Sequence, residues 1–144
     1  MLKIELQPIG TMNIQLGDTI DVGEGPKGTR LVADVLAVRL TGERITAELA
    51  TNDAADWLTV SDNGKLGSLD VRLTLKTDDD AFIYVEYGGR MDMEAGLIAV
   101  APTFQTGDPK YSWLNRIQAV AAGSVNLETG ILIYSLYEAV VIAE

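Results

Sequence analysis

The sequence of 144 residues contains no cysteine and no histidine. The first absence excludes disulfides, thiolate nucleophiles and cysteine metal sites. The second removes the commonest metal ligand and the usual general base at neutral pH, so serine–histidine and cysteine–histidine catalysis are also excluded. We therefore expect no metal site and no cofactor. Any acid–base chemistry falls to carboxylates and tyrosines.

Basic residues and long apolar runs are also scarce. Eleven Lys and Arg stand against 21 Asp and Glu, which gives a formal net charge of −10. Such a surface repels phosphate backbones and anionic lipid, so we expect no nucleic-acid partner and no membrane partner. The longest apolar runs, such as AVVIA at 139–143, are far shorter than the roughly 20 residues that span a bilayer. The opening MLKIELQPIG lacks the apolar stretch of a signal peptide, and together these features predict a cytoplasmic protein.

What the chain does contain is alternation with a period of two residues. Leu69, Val71, Leu73 and Leu75 share one face of a segment whose other face is polar, and turn signals such as Asn63-Gly64 separate the runs. The length predicts one domain, residues 1–144. We expect an all-β fold, a single antiparallel β-barrel of nine or ten strands with an internal cavity and little helix. The predicted strands are 2–8, 11–16, 29–40, 43–51, 57–60, 65–76, 81–90, 96–104, 116–125 and 130–142.

Aromatic residues make up only 6% of the chain, yet three of them crowd into PTFQTGDPKYSWLNR at 102–116. Gly107 and Pro109 bend this segment, and one helical turn is expected after Pro109. We expect the segment to close one end of the barrel, with its large side chains plugging or lining the pocket. Phe104, Tyr111, Trp113 and Arg116 are therefore predicted ligand-binding residues.

Two further groups of residues suggest a site. In the first, Asp56 and Trp57 follow a polar segment, which places them either at a barrel mouth, as a base and a stacking wall, or in the core beside a turn. The second group is Arg72, Tyr84 and Glu86, on two strands that the TDDD turn at 77–80 joins as a hairpin. These residues either face the cavity, with Tyr84 and Glu86 as catalytic groups, or form a solvated outer wall.

Two acidic or glycine-rich stretches have plainer interpretations. Asp78, Asp79 and Asp80 lack the alternating oxygen ligands and distal Glu of a calcium loop, so we interpret them as a solvated turn. GEGPKG at 23–28 is similar to a phosphate-binding loop, but no helix pattern follows it. We interpret it as an ordinary loop.

Three elements occur in an order that resembles domain-of-unknown-function family 3237 of bacteria: AADW at 54–57, LDVRLTLKTDDDAFIYVEYGG at 69–89 and PTFQTGDPKYSWLNR at 102–116. The resemblance covers about residues 28–140. It implies a compact antiparallel β-barrel with an internal cavity, and it implies no established reaction. Asp80 stands where the family pattern has glycine, which puts a tight glycine turn there in question.

These features leave three kinds of function open. The first is a cofactor-independent isomerase, cyclase or lyase that acts on a small apolar or aromatic molecule, with Asp56 or Glu86 as the base, Tyr84 as an acid or donor and Arg72 stabilising charge. The second is a protein that binds such a molecule without turnover, and Trp57 and Arg72 would be ligand contacts in both. The third is a structural module with a filled barrel. A barrel edge near 57–60 also predicts pairing into a homodimer.

Overall fold

The computed structural model describes residues 1–144 and contains ten β-strands and one short 3-10 helix. The helix, Pro109–Arg116, is too short to cross a membrane, and there is no other. The all-β prediction with little helix is confirmed. The strands are β1 (Leu2–Gly25), β2 (Gly28–Thr41), β3 (Thr46–Leu49), β4 (Ala55–Ser61), β5 (Leu66–Thr77), β6 (Phe82–Asp92), β7 (Leu97–Val100), β8 (Thr103–Gln105), β9 (Ala119–Asn126) and β10 (Ile131–Ala143).

Eight of the strands pair in a ring, and every pair is antiparallel. The order around the ring is β1, β2, β4, β5, β6, β7, β9 and β10, and β10 pairs again with β1. β3 bridges β2 and β5 at one end, and β8 lies beside β6 at the same end. The sheet therefore closes on itself in a barrel-like arrangement, as a strongly twisted sheet of this size tends to do.

The two ends of this sheet differ. At the turn end lie the hairpin turns 62–65, 93–96 and 127–130. At the helix end lie the turns 42–45 and 78–81, together with the 3-10 helix. Pro109 opens that helix, and the Asp108 side chain caps it by accepting a hydrogen bond from the Lys110 amide at 2.9 Å. The predicted helical turn after Pro109 is therefore present.

The length of β1 has a local cause. Bulges interrupt its pairing between Pro8 and Gly10 and again between Gln15 and Thr19, so that one strand bends around the molecule. At Gly10 the backbone passes so close to β2 that an added Cβ would lie 2.4 Å from the Thr41 carbonyl oxygen. Only glycine fits this crossing, where the start of β1 leaves the ring.

Several predicted boundaries need correction. The segments 2–8 and 11–16 are parts of one strand, which continues to Gly25 through the first half of the stretch interpreted as a loop, while 96–104 divides into β7 and β8. Asp80 adopts a positive φ of 71°, so the turn keeps a left-handed residue without glycine. The edge expected near 57–60 does not exist, because β4 is paired with β2 on one side and β5 on the other.

Candidate functional site

A cavity opens at the turn end of the closed sheet. Its open space amounts to about 130 Å³, close to the roughly 150 Å³ of an apolar protein cavity that binds benzene, so it suits a small apolar molecule of about that size. Met93 and Leu127 of the turns lie at its mouth, together with Thr19 of β1. Sixteen of its 18 lining residues are hydrophobic, and the two exceptions are Thr19 and Asp56. The cavity is therefore an apolar space with one carboxyl group.

Asp56 is fixed in this wall by an opening in the β4–β5 pairing. Pairing is present at Asp56 with Val71 and resumes at Thr59 with Ser68, but not between them. In the gap, Asp56 Oδ1 accepts a hydrogen bond from the Asp70 amide at 3.0 Å. The Trp57 carbonyl instead accepts from Arg30 Nη1 at 2.6 Å. The carboxyl is thus held by the backbone of the neighbouring strand while it faces the cavity.

The environment of Asp56 changes its acidity. Burial among apolar side chains raises its pKa from 3.8 to about 6, and the negative charge of Asp70 acts in the same direction. The hydrogen bond from the Asp70 amide and the charge of Arg30 oppose the increase without cancelling it. A carboxyl with such a pKa exchanges protons readily near neutral pH, which suits a general acid or base.

Two tyrosines share the cavity with Asp56. Tyr87 follows Val71 in the cross-strand row that begins at Asp56, and the Tyr134 ring meets the Tyr87 ring edge-on at a centroid distance of 5.8 Å. Burial raises the pKa of both hydroxyls above the ordinary value, and the nearby charge of Asp56 adds to the effect. Both phenols are therefore protonated near neutral pH and can act as hydrogen-bond donors.

Asp56 and Trp57 face opposite sides of β4, because neighbouring residues of a strand alternate. Trp57 is half-buried on the outside, where the Arg72 guanidinium carbon lies 4.4 Å from its ring centroid. Asp56 lines the cavity, as one of the two sequence interpretations required, but it lies deep inside and not at the expected barrel mouth. The expectation that Trp57 forms a pocket wall is wrong, since Trp57 does not line the cavity.

Arg72, Tyr84 and Glu86 also lie on the outer face. The predicted hairpin is present with Arg72 opposite Glu86, and Tyr84 donates a hydrogen bond to Glu86 Oε2 at 3.1 Å. The expectation that these side chains line the cavity is wrong. The inward positions belong to Val71, Leu73, Val85 and Tyr87, because a closed interior excludes a charged pair that water would otherwise solvate.

The predicted residues of segment 102–116 gather at the helix end, away from the cavity. Tyr111 is buried and donates to Asp79 Oδ1 at 2.7 Å, while Trp113 is half-buried beneath Arg44, 3.6 Å from its ring centroid. Phe104 packs at the border of the core, and Arg116 is exposed. None of the four lines the cavity, so these residues close one end of the sheet and do not contact a ligand bound in the cavity.

The three aspartates of the β5–β6 turn are each engaged with a different cation. Asp78 pairs with Arg39, Asp79 with Lys110 and Asp80 with Lys76. The hydrogen bond from Lys110, with those from Thr77 and Tyr111, lowers the pKa of Asp79 well below its ordinary value. The run is a turn, as expected, but its aspartates are paired with cations and one of them anchors the 3-10 helix, whereas the sequence was interpreted as a solvated turn.

Sequence reasoning missed Tyr87 and Tyr134. A usable signal existed in β10, where Leu132, Tyr134 and Leu136 alternate with exposed residues and are all buried. A tyrosine on the apolar face of a strand brings a hydroxyl into the interior. β6 gave a weaker signal, because aromatic residues occur on both of its faces.

Comparisons with known proteins give relatives over most of the chain. A UPF0311 protein of Rhodopseudomonas palustris is 27% identical over 127 residues, which cover 77% of this chain and 82% of that protein. The crystal structure of a β-barrel-like protein from Acinetobacter baumannii has a TM-score of 0.85 at 26% identity and covers 96% of this chain and 97% of that one. An enzyme from Penicillium herquei shares the fold at a TM-score of 0.73 and 20% identity, covering 95% of each chain.

The family comparison agrees with the resemblance in the sequence. The model of the family described as protein of unknown function (DUF3237) matches residues 4–101 and 92–139, and so includes both the carboxyl-bearing strand β4 and the helix-end segment. The chain belongs to this family of barrel-like proteins of unknown function, DUF3237.

Proposed function

We propose that the protein is a cofactor-independent enzyme of the isomerase, cyclase or lyase kind, which moves a proton on a small, largely apolar molecule held in the cavity. The observation that carries this proposal is the Asp56 carboxyl, the one acidic group among hydrophobic walls, with a pKa raised to about 6. A perturbed carboxyl in a cleft is a feature of catalytic sites.

Asp56 is the proton-transfer group in this proposal. Its carboxylate takes a proton from the substrate, and the resulting acid returns a proton to another atom, so that no external reductant or oxidant is needed. The amide of Asp70 fixes one carboxyl oxygen and leaves the other to meet the substrate. Tyr87 and Tyr134, protonated near neutral pH, are the available donors for negative charge that develops on the substrate.

The fold supports catalysis only by analogy. A solved structure with this architecture is described as an enzyme from Penicillium herquei, at 20% identity. A shared fold does not transfer a reaction, so the argument for this chain depends on its own cavity.

A protein that binds the same molecule without turnover is the second candidate. The largely hydrophobic lining favours it, because apolar walls bind an apolar ligand whether or not chemistry follows. A binding protein has no need of a carboxyl that titrates near neutral pH. The third interpretation, a structural module with a filled barrel, is disfavoured because the interior of the sheet contains an open cavity.

The experiment follows the Asp56 proton directly. Small molecules retained by the purified protein are identified by mass spectrometry and then incubated with fresh protein in deuterium oxide. Wild type is expected to exchange deuterium into the ligand, and Asp56→Asn is expected to lose this exchange. Asp34→Asn makes the same chemical change on the exposed face of β2 and is expected to behave as wild type.

An NMR titration of the carboxyl groups gives an independent reading. One signal is expected to titrate near pH 6 and to disappear in Asp56→Asn. Unchanged exchange in Asp56→Asn, or no carboxyl that titrates near that pH, contradicts the enzymatic proposal and leaves the binding protein as the better description.

A further inference from the structure

One polar atom in the cavity has no partner. The Tyr134 side chain is fully buried, and no partner meets the distance and angle of a hydrogen bond to its hydroxyl, although the Tyr87 hydroxyl lies close enough to influence its pKa. A buried hydroxyl without a partner is costly and uncommon, so its presence in the wall of a cavity requires an explanation. A ligand atom that accepts its hydrogen bond supplies one.

Tyr134 lies at the floor of the cavity. On β10 the lining residues are Leu132 and Tyr134, and the next inward residue, Leu136, belongs to the core and does not line the cavity. On β6 the cavity ends at the same depth, because Tyr87 lines it and the next inward residue, Val85, belongs to the core below. Asp56 belongs to the cross-strand row of Tyr87, so the polar atoms gather at the deep end of an apolar shaft.

The charge of the lining restricts the ligand further. No Lys or Arg lines the cavity, and its one ionisable carboxyl, that of Asp56, carries a negative charge when it is deprotonated. A carboxylate or phosphate ligand would lose its hydration without gaining a cation and would be repelled by Asp56. An uncharged molecule with an apolar body and one acceptor oxygen would pack its body against the hydrophobic walls and accept a hydrogen bond from the Tyr134 hydroxyl at the floor.

We propose that the cavity takes an uncharged carbonyl compound, oxygen first, with the Tyr134 hydroxyl as donor to the carbonyl oxygen and Asp56 facing the adjacent carbon. In the reaction, the bond from that carbon to hydrogen breaks and the proton passes to Asp56. The electron pair forms a carbon–carbon double bond, and the negative charge on oxygen is held by the Tyr134 hydroxyl. Where the substrate has a carbon–carbon double bond next to the carbon that loses the proton, the negative charge extends along that bond, and return of the proton from Asp56 to its far carbon completes an isomerisation. This inference rests on the proposed function and names its substrate class.

Three single-ring probes of matched shape, which suit a cavity of about 130 Å³, test the substrate class: acetophenone, ethylbenzene and benzoate, which present a carbonyl, no polar group and a carboxylate. Near neutral pH we expect the ketone and the hydrocarbon to bind and the carboxylate not to bind. Tyr134→Phe is expected to weaken ketone binding roughly 3–10-fold, the usual effect of one lost neutral hydrogen bond, and to leave the hydrocarbon unaffected. Tyr137→Phe, a tyrosine of β10 outside the cavity, is the matched control.

The same variants report on folding. Because the Tyr134 hydroxyl has no partner in the protein, Tyr134→Phe is expected to keep or raise the melting temperature, so a loss of ketone binding is not a loss of structure. Equal ketone affinity in wild type and Tyr134→Phe overturns the carbonyl assignment, as does tight binding of benzoate or no binding of any probe. When ketone and hydrocarbon bind but Tyr134→Phe changes neither, the proposed function still stands on its own deuterium-exchange test.

Discussion

Asp56 is the residue at which the stability of the fold and the proposed chemistry conflict. A carboxyl whose pKa is raised on folding holds its proton more tightly in the native state than in the unfolded chain. Its charged form therefore destabilises the native state above about pH 6, and this cost disappears as the pH falls below the unfolded value near 3.8. A residue kept at such a position is consistent with a role other than stability.

The first prediction follows from this sign. Asp56→Asn keeps an oxygen that can accept from the Asp70 amide but removes the charge, so near neutral pH it is expected to raise the free energy of unfolding by about 1–3 kcal/mol. The gain is expected to shrink between pH 6 and 4, measured by urea unfolding at several pH values. Asp34→Asn again serves as the exposed control. A gain that does not depend on pH would contradict the burial of this charge.

At the scale of elements, the 3-10 helix acts as a closure of the helix end. Leu114 is 1% exposed and Tyr111 is 4% exposed, and both belong to the main hydrophobic core. Asn115 connects the ends of the preceding loop, because its side chain exchanges hydrogen bonds with the Thr106 amide and carbonyl at 2.8 and 2.9 Å. Trp113, which the sequence suggested as the buried plug, covers the outside beneath Arg44.

The second prediction orders two substitutions in this helix. Leu114→Ala is expected to cost about 2–5 kcal/mol, because it leaves a cavity among fully buried neighbours. Trp113→Ala is expected to cost about 1–3 kcal/mol, less than for a fully buried Trp, because part of its surface already meets solvent and Arg44 covers its ring. Chemical unfolding of both variants measures the difference, and a larger loss for Trp113→Ala would show that the tryptophan is the principal plug.

At the scale of the whole molecule, both chain termini leave the ring together. Residues 2–8 pair with 137–143 beyond the last pairing of β1 with β2, and we call this two-stranded segment the terminal ribbon. One of its faces carries Leu2, Ile4, Leu6 and Val141, which are 69%, 63%, 53% and 65% exposed. Lys3, Glu5 and Glu138 lie on the other face, so the apolar face has no charge. An isolated two-stranded ribbon is only marginally stable in water, so we expect another surface to pack against this exposed apolar face.

The third prediction is that a second copy of the chain covers the ribbon. In a two-fold dimer the apolar faces of two identical ribbons pack against each other. The chain has a net charge of −10, but this face has no charged side chain, so two copies can approach through it with little like-charge repulsion. Ile4→Asp is therefore expected to lower the dimer fraction in analytical ultracentrifugation without changing the circular dichroism spectrum. Gln7→Asp places the same charge on the opposite face and is expected to leave the dimer intact. A monomeric wild type at high concentration contradicts the prediction.

Prediction from sequence succeeded where one strand carries its own pattern. β5 was expected at 65–76 and is Leu66–Thr77, and its hairpin partner was expected at 81–90 and is Phe82–Asp92. The same reasoning failed to assign the faces of β6, where Phe82 and Tyr84 alternate with Ile83, Val85 and Tyr87. Both sets contain aromatic side chains, so periodicity alone does not identify the buried one.

The sequence by itself determined the all-β class, the turns, the exclusion of histidine and cysteine chemistry, and the carboxyl at position 56. These properties depend on composition and on neighbours within a few residues. Only the tertiary structure decided that Asp56 shares a cavity floor with Tyr87 and Tyr134, and that the segment 102–116 closes the opposite end. Those relations arise when β10 returns to pair with β1, and the pairing of such distant strands follows from closure of the whole sheet.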